Sequence, residues 1–392
     1  MPNQFTSSVY GDLETYFLTD YALLDQYIGD TLWSWGGNSL GQLGVNNNTD
    51  RNTPVTTLLG GTNWKSIASG YAHTVALKTD GTLWTWGRNS YGQLGVNNTT
   101  SRSTPVTTLL GGTNWKSIAG GNAHTVALKT DGTLWTWGRN SYGRLGINDT
   151  TSRSTPVTTL LGGFNWKSID CGFFHTTALK TDGTLWSWGG NSLGQLGIND
   201  DTSRSTPVTT LLGGTSWKSI ACGDTYTVAI KTDGTLWTWG ANSNGQLGIN
   251  DTISKSTPVT TLLGTTNWKS IACGNAHTVA IKTDGSLWSW GVNISGQLGV
   301  NDTTNRRTPV TTLLNGTNWK SIAGGNTHTV AIKTDGSLWS WGANSNGQLG
   351  INDTTNRSTP VTTLLGTTNW KSIDCGNAHT IALTAGQSVD FS

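Results

Sequence analysis

Hydrophobic and polar positions along this chain follow a pattern that repeats every 51 residues. The dipeptide Leu-Trp marks the period, and its leucines are Leu32, Leu83, Leu134, Leu185, Leu236, Leu287 and Leu338. All 21 tryptophans occupy three positions of the repeat, three in each copy. Self-similarity at a fixed period of about 20–50 residues is typical of solenoids, propellers and related arrays. The chain is therefore predicted to be one architecture built from a single unit used seven times.

One repeat contains four short segments with the alternation typical of β-strands. In the copy that begins at Trp64 they span 64–69, 73–78, 82–87 and 105–110. The Asp-Gly pair between the second and third segments predicts a hairpin turn, because Gly tolerates a positive φ. Pro105 begins the fourth segment, which fits an outer edge strand where a missing N–H costs little. Four antiparallel strands of this length predict a propeller blade, with the tryptophans packed between blades.

The phase of the repeat predicts how the ring closes. After residue 30 the chain supplies a third and a fourth strand, and at its end it supplies a first and a second strand. These four strands would complete one blade from both ends of the chain and leave no open sheet edge. We therefore predict an all-β fold, a closed seven-bladed β-propeller of four-stranded antiparallel blades spanning residues 31–392. A short N-terminal α-helical arm, residues 1–30, is predicted to precede it.

The predicted arm is acidic and amphipathic. Residues 12–28 place apolar side chains at helical spacing, namely Leu13, Tyr16, Phe17, Leu24, Tyr27 and Ile28. Gly29 suits the C-terminal cap of this helix. Two interpretations stay open: the arm packs back on its own propeller, or it docks into another subunit.

Charge divides between the two predicted parts of the chain. The arm carries five acidic and no basic residues, a charge of −5, and the repeats carry 24 basic and 17 acidic residues, a charge of +7. The net charge of +2 does not favour nucleic acid as a partner. No signal peptide and no transmembrane segment is visible, and the arm lacks flanking cations, so membrane insertion is not predicted.

The candidate chemical groups have structural explanations. Six histidines share one repeat position, which holds Tyr226 in the remaining copy, and equivalent positions around a ring do not converge on a metal. The four cysteines also share one position and lack disulfide or metal-site spacing. No nucleophile–base pair or phosphate-binding loop stands out. The sequence therefore predicts no catalytic residues, no metal, no cofactor and no enzymatic activity.

The repeat resembles the regulator of chromosome condensation family. The matching residues are Gly-x-x-His-Thr at 121–125, Asp-Gly-Thr-Leu-Trp-Thr-Trp-Gly-Arg-Asn from Asp131, and Gly-Arg-Leu-Gly from Gly143. The resemblance implies a seven-bladed propeller. Among its relatives are a nucleotide exchange factor for a small GTPase, a plant UV-B photoreceptor, a bacterial β-lactamase inhibitor and many bacterial and phage proteins. A bacterial or phage member is expected.

Two activities of proteins in this family, nucleotide exchange and UV-B sensing, are disfavoured for this chain. Exchange activity is associated with loops that interrupt the blades, whereas the spacing here is uniform. The photoreceptor uses Trp after the Gly of Gly-x-x-His-Thr. This chain has no Trp at that position, which holds Tyr71, Asn122, Phe173, Asp224, Asn275, Asn326 and Asn377.

The copies differ from one another mainly at two connections that should share one face of the ring. There, three consecutive copies carry aromatic and arginine residues where the others mostly have small or amide residues, namely Tyr71, Arg88, Tyr91, Arg139, Tyr142, Arg144, Phe173 and Phe174. Tyr, Phe and Arg are enriched at interaction hot spots. These residues are a candidate partner-binding patch, with neutral drift after duplication as the alternative.

The function expected from these features is a non-enzymatic structural or interaction module. The main interpretation is a component of a larger assembly such as a phage virion or tail, with an adhesion or decoration role. It would bind assembly proteins or a cell-surface receptor or glycan, and lie in the virion or the cytoplasm. The alternatives are an intracellular regulatory binder, of GTPase-regulator or inhibitor type, and a glycan-binding lectin.

Overall fold

A computed structural model describes residues 30–59, 63–212, 214–264, 266–314 and 316–386. Its regular elements in these ranges are β-strands, and no helix occurs among them. The predicted helical arm lies outside the described residues, apart from Asp30. The division into an arm, 1–30, and a propeller, 31–392, therefore stays a prediction.

The strands, numbered in chain order, fall into four repeat positions. The first holds β3 (Trp64–Ser69), β7 (Trp115–Gly120), β11 (Trp166–Cys171), β15 (Trp217–Cys222), β19 (Trp268–Cys273), β23 (Trp319–Gly324) and β27 (Trp370–Cys375). The second holds β4 (His73–Lys78), β8 (His124–Lys129), β12 (His175–Lys180), β16 (Tyr226–Lys231), β20 (His277–Lys282), β24 (His328–Lys333) and β28 (His379–Thr384).

The other two positions complete each repeat. The third holds β1 (Thr31–Gly36), β5 (Leu83–Gly87), β9 (Leu134–Gly138), β13 (Leu185–Gly189), β17 (Leu236–Gly240), β21 (Leu287–Gly291) and β25 (Leu338–Gly342). The fourth holds β2 (Arg51–Thr56), β6 (Arg102–Thr107), β10 (Arg153–Thr158), β14 (Arg204–Thr209), β18 (Lys255–Thr260), β22 (Arg306–Thr311) and β26 (Arg357–Thr362).

These strands form seven four-stranded antiparallel sheets, which confirms the predicted propeller. Blade 1 has the order β3-β4-β5-β6, and blades 2 to 6 repeat it along the chain. Blade 7 has the order β2-β1-β28-β27 and so joins the two ends of the described chain. The first-position strands line a central channel of about 400 Å³. The fourth-position strands are the outer edge of every blade.

The fourth strand begins earlier than the sequence pattern predicts. It spans Arg102–Thr107 instead of 105–110, and Pro105 lies within it rather than at its start. Arg102 pairs with Gly87 and Val106 pairs with Thr85, so the register shifts between them. Because this strand is an edge with an irregular register, the missing N–H of proline is tolerated inside it.

Tryptophan fills the layers between blades, as predicted. Trp64 meets Trp84 and Trp86 edge to face, with ring centroids 6.4 and 6.2 Å apart. The Trp86 side chain is fully buried, and its Nε1 donates to the carbonyl oxygen of Gln42 in blade 7 at 2.9 Å. The Lys78 ammonium lies 5.2 and 4.8 Å from the centroids of Trp64 and Trp84. Each indole layer thus links two blades as well as filling space.

The shared histidines also connect blades. His73 Nε2 lies 3.0 Å from the hydroxyl of Thr125 in blade 2, and Thr125 donates to the carbonyl of Gln93 at 2.8 Å. The threonine proton is thereby used, so His73 donates through Nε2. Burial lowers the pKa of His73 to about 3 and keeps the ring neutral. The same bond recurs around the ring, with Tyr226 donating to the His277 carbonyl in the copy that lacks a histidine.

Candidate partner-binding surface

Two connections of each blade reach the same face of the ring, which we call the upper face. One joins the first strand to the second and carries Tyr71 in blade 1 and Phe173 and Phe174 in blade 3. The other joins the third strand to the fourth and carries Arg88 and Tyr91 in blade 1. Blade 2 supplies Arg139, Tyr142 and Arg144 from this second connection. All eight residues predicted from the repeat departures therefore lie on one face.

The four aromatic rings at the centre of this face form a continuous chain of contacts. Tyr71 meets Phe173 edge to face at 5.6 Å, Phe173 lies 4.6 Å from Phe174, and Phe174 meets Tyr142 at 5.5 Å. Tyr71 and Phe173 also line the mouth of the central channel. Tyr142 stays 46% exposed, whereas the other three rings are partly buried. The aromatic cluster therefore spans three blades and presents its outer ring to solvent.

Two arginines surround the remaining tyrosine. The guanidinium carbons of Arg88 and Arg139 lie 5.8 and 4.7 Å from the centroid of the Tyr91 ring. Each guanidinium is held through Nε, by the hydroxyl of Ser90 at 2.8 Å and of Ser141 at 3.1 Å. These bonds leave the Nη atoms of both forks without partners among the described residues. A guanidinium fork oriented in this way suits a carboxylate or a phosphate.

Arg144 has a different position from the one that the sequence suggests. Its side chain is fully buried beneath the surface, where Nη1 donates to the carbonyl of Phe173 at 3.0 Å. Its guanidinium carbon lies 5.5 Å from the ring centroids of both Tyr142 and Phe174. Burial, with a smaller effect of Arg139, lowers the pKa of Arg144 to about 10, so it stays charged. Arg144 supports the aromatic cluster and cannot contact a partner directly.

We define the arginine–aromatic patch as the seven solvent-accessible residues above this support: Tyr71, Arg88, Tyr91, Arg139, Tyr142, Phe173 and Phe174. None of its arginines has an ion pair within the part of the chain that the structure describes. Elsewhere five basic residues of the fourth strands each pair with an aspartate four residues earlier, as Arg153 does with Asp149. The patch therefore has a local excess of positive charge, and its arginines pack against an aromatic ring.

Two serines that orient the patch were not predictable from the sequence. Ser90 and Ser141 hold the two guanidinium groups, but most copies have a serine at this position, so the sequence gives no signal there.

Asp170 and Asp374 replace alanine on the channel-lining strands, and each accepts a backbone N–H of the next blade. These aspartates do depart from the repeat and could have been singled out in the sequence. Burial raises their pKa values to about 6 and about 7.

The geometry defines a propeller whose regular blades carry an irregular upper face, and sequence comparison gives its family. The chain belongs to the RCC1-like domain family, whose profile matches residues 21–260 and 161–390. It is 34% identical to the ultraviolet-B receptor UVR8 of Arabidopsis thaliana over 339 residues, which cover 85% of this chain and 77% of the receptor. It is 32% identical to the human E3 ubiquitin-protein ligase HERC2 over 77% of this chain and 6% of the ligase.

Solved structures agree on the architecture. Yeast RCC1 (Prp20), solved bound to Kap60, superposes with a TM-score of 0.81 at 22% identity, over 95% of this chain and 92% of that chain. At this identity the likeness supports the fold alone. The two relatives named from sequence come from a plant and an animal, so they give no support to a bacterial or phage origin or to a virion component. Among the described residues no helix is long and apolar enough to cross a membrane.

Proposed function

We propose that this chain is a non-enzymatic regulatory propeller that binds a protein partner through the arginine–aromatic patch. Its family includes proteins named as a receptor and a ubiquitin ligase, which favours the regulatory alternative over the virion interpretation. The observation that carries the proposal is the mutual packing of the residues that break the repeat. Independent drift of near-identical copies would scatter such changes, whereas these meet across three blades.

The chemistry of the patch indicates the kind of partner. Arg88 and Arg139 offer guanidinium forks whose Nη atoms have no partner among the described residues, so the partner should supply carboxylates. The aromatic cluster beside them should receive an apolar or aromatic side chain of the same partner. An acidic segment with an apolar anchor fits both halves. Attraction between opposite charges would raise its association rate and make binding sensitive to salt.

Other functions have less support from this surface. Light sensing is not proposed. At the repeat position where the family's photoreceptor has its sensing tryptophans, this chain has Tyr71 and Phe173 in the patch. Nucleotide exchange is not proposed, since the blades keep one spacing throughout. Glycan binding through Tyr142 stays a prediction that a glycan array can test.

The seven copies supply their own control substitutions. We expect R88G/R139A, which installs the residues of blades 3 and 4 at these positions, to keep the fold. Binding of an acidic peptide that carries an aromatic residue, selected on an array with the wild-type protein, should weaken by about tenfold or more. Fluorescence polarisation with labelled peptide measures the affinity.

The matched control is A241G/A343G, at the equivalent positions of blades 4 and 6. It should leave peptide affinity unchanged, and both variants should retain the wild-type Tm. Equal affinity of R88G/R139A and the wild-type protein would show that the patch is not the binding surface.

A further inference from the structure

Each channel-lining strand carries a lysine at the end that lies away from the arginine–aromatic patch. These seven lysines follow the first tryptophan of each repeat and are all exposed: Lys65, Lys116, Lys167, Lys218, Lys269, Lys320 and Lys371. Because each first-position strand runs from this end toward the arginine–aromatic patch, the lysines lie around the other mouth of the channel. We call them the lysine ring and the face that bears them the lower face.

One lysine of the ring has an anionic partner in the structure, and that partner is Asp30, the last residue of the predicted arm. Lys371 Nζ lies 2.5 Å from Asp30 Oδ2. Asp30 is buried, and its Oδ1 accepts the N–H of Gly386 at 3.2 Å. No other ring lysine has an ion pair among residues 30–59, 63–212, 214–264, 266–314 and 316–386. Six lysines around this mouth thus have no anionic partner in the described part of the chain.

Asp30 lies on the lower face of the propeller. Asp30 precedes β1, and Lys371 lies on β27, with β28 between these two strands. The Asp30 side chain therefore reaches across one strand to the innermost strand of blade 7. Asp30, the residue to which segment 1–29 is attached in the sequence, thus lies at the lower face within side-chain reach of the ring.

The lower ends of the outermost strands add apolar surface to this face. One leucine follows the fourth strand of each blade and is 51–60% exposed: Leu58, Leu109, Leu160, Leu211, Leu262, Leu313 and Leu364. These leucines recur once per blade and place apolar side chains at intervals around the rim of the lower face. The lower face therefore carries lysines near the channel and leucines near the rim, with exposed hairpin aspartates such as Asp80 on the same face.

We propose that residues 1–29 dock on the lower face of their own propeller. This segment has four carboxylates, Asp12, Glu14, Asp20 and Asp25, and no basic residue, so it complements the unpaired lysines. Its apolar residues, among them Leu13, Phe17 and Leu24, complement the exposed leucines. The Asp30–Lys371 pair is the first contact of this interface, and the segment continues it around the ring.

Carbodiimide coupling of the full-length protein tests the proposal, because it links a carboxylate to an amine only when the two are in contact. Mass spectrometry should find links from the four carboxylates of residues 1–29 to ring lysines. An equal mixture of unlabelled and nitrogen-15-labelled protein separates links within one chain from links between chains. Links between chains, or no links to ring lysines, would overturn the proposal.

Substitution of the ring provides the second measurement. Hydrogen exchange of amides in residues 12–28 should become about tenfold faster in K65E/K116E/K320E. In this variant three attractive interactions between ring lysines and carboxylates of the segment become repulsive. The control R88G/R139A removes positive charge from the upper face and should leave this exchange unchanged. Unaltered exchange in the ring variant, with a wild-type Tm, would contradict docking on the lysines.

Discussion

Arg144 shows how one residue can support a surface without belonging to it. Six copies have glutamine at its position, and in blade 1 the Gln93 Oε1 accepts the N–H of Tyr91 at 2.9 Å. Arg144 instead reaches the Phe173 carbonyl and lies against two aromatic rings. Its Nε has no hydrogen-bond partner in the described structure. A buried, incompletely bonded cation is costly, so its contribution is to the shape of the patch.

The variant R144Q should therefore separate stability from binding. Glutamine can accept the N–H of Tyr142 as Gln93 accepts that of Tyr91, and it removes a buried charge. We expect a Tm equal to or above that of the wild-type protein, measured by differential scanning calorimetry, and a weaker affinity for the acidic peptide. A lower Tm together with unchanged affinity would assign Arg144 to stability alone.

At the scale of strands, the channel-lining strands carry two buried carboxyl groups whose ionisation is unfavourable. Asp374 Oδ2 accepts the Ser69 N–H of blade 1 at 2.5 Å and Asp170 Oδ2 accepts the Cys222 N–H at 2.7 Å, so both aspartates connect blades. Burial, the largest cause, raises the pKa of Asp374 to about 7. Its contribution to stability is thus fully present below about pH 4, the ordinary pKa, and is lost as the pH rises through about 7.

Substitution D374N should stabilise the protein at alkaline pH only. Asparagine stays neutral and can still accept the Ser69 N–H. At pH 8 the free energy of unfolding should exceed the wild-type value by on the order of 1 kcal/mol or more, and near pH 4 the two should agree. Denaturant titration at both pH values measures this difference in the free energy of unfolding. The buried histidines are the same in both proteins, so their contribution cancels in the difference.

The comparison variant for this test is D80N in a hairpin. Hydrogen bonds from the backbone and side chain of Thr82 lower the pKa of the exposed Asp80. Its contribution is therefore present above its ordinary pKa and lost in acid, the opposite sign. A stabilisation of D80N at pH 8 as large as that of D374N would refute the burial argument.

The whole molecule depends on one blade assembled from distant parts of the chain. Strand β28 lies between β1 and β27, so it connects the start of the described chain to its end. Without β28, two strands would expose unpaired edges, which favour association with other chains. Every other blade is continuous in sequence and closes locally.

A chain that ends after Ala378 should therefore fail to form a monodisperse ring. We expect it to aggregate, because β1 and β27 lose their shared partner, and size-exclusion chromatography would show this. The matched control ends after Gly386 and keeps every strand and the Asp30–Gly386 bond. A monomeric, cooperatively unfolding product of the shorter chain would contradict the role given to this blade.

The fold was predictable because a fixed 51-residue period repeats the strand pattern seven times. The patch was predictable because Tyr71, Arg88 and Phe173 differ from their equivalents in other copies. The burial of Arg144 was not predictable, since it depends on how the rings of neighbouring blades pack. The histidine–threonine bonds also join different copies, and a pattern within one copy does not contain them.

The pairing of Thr31 with Thr384 places the two ends of the ring side by side. Tension applied to both ends would therefore peel β1 from β28 one rung at a time, instead of shearing all their hydrogen bonds together. The propeller is thus mechanically weakest where it is closed. A partner that pulls on both ends could open the ring there while the six continuous blades stay folded.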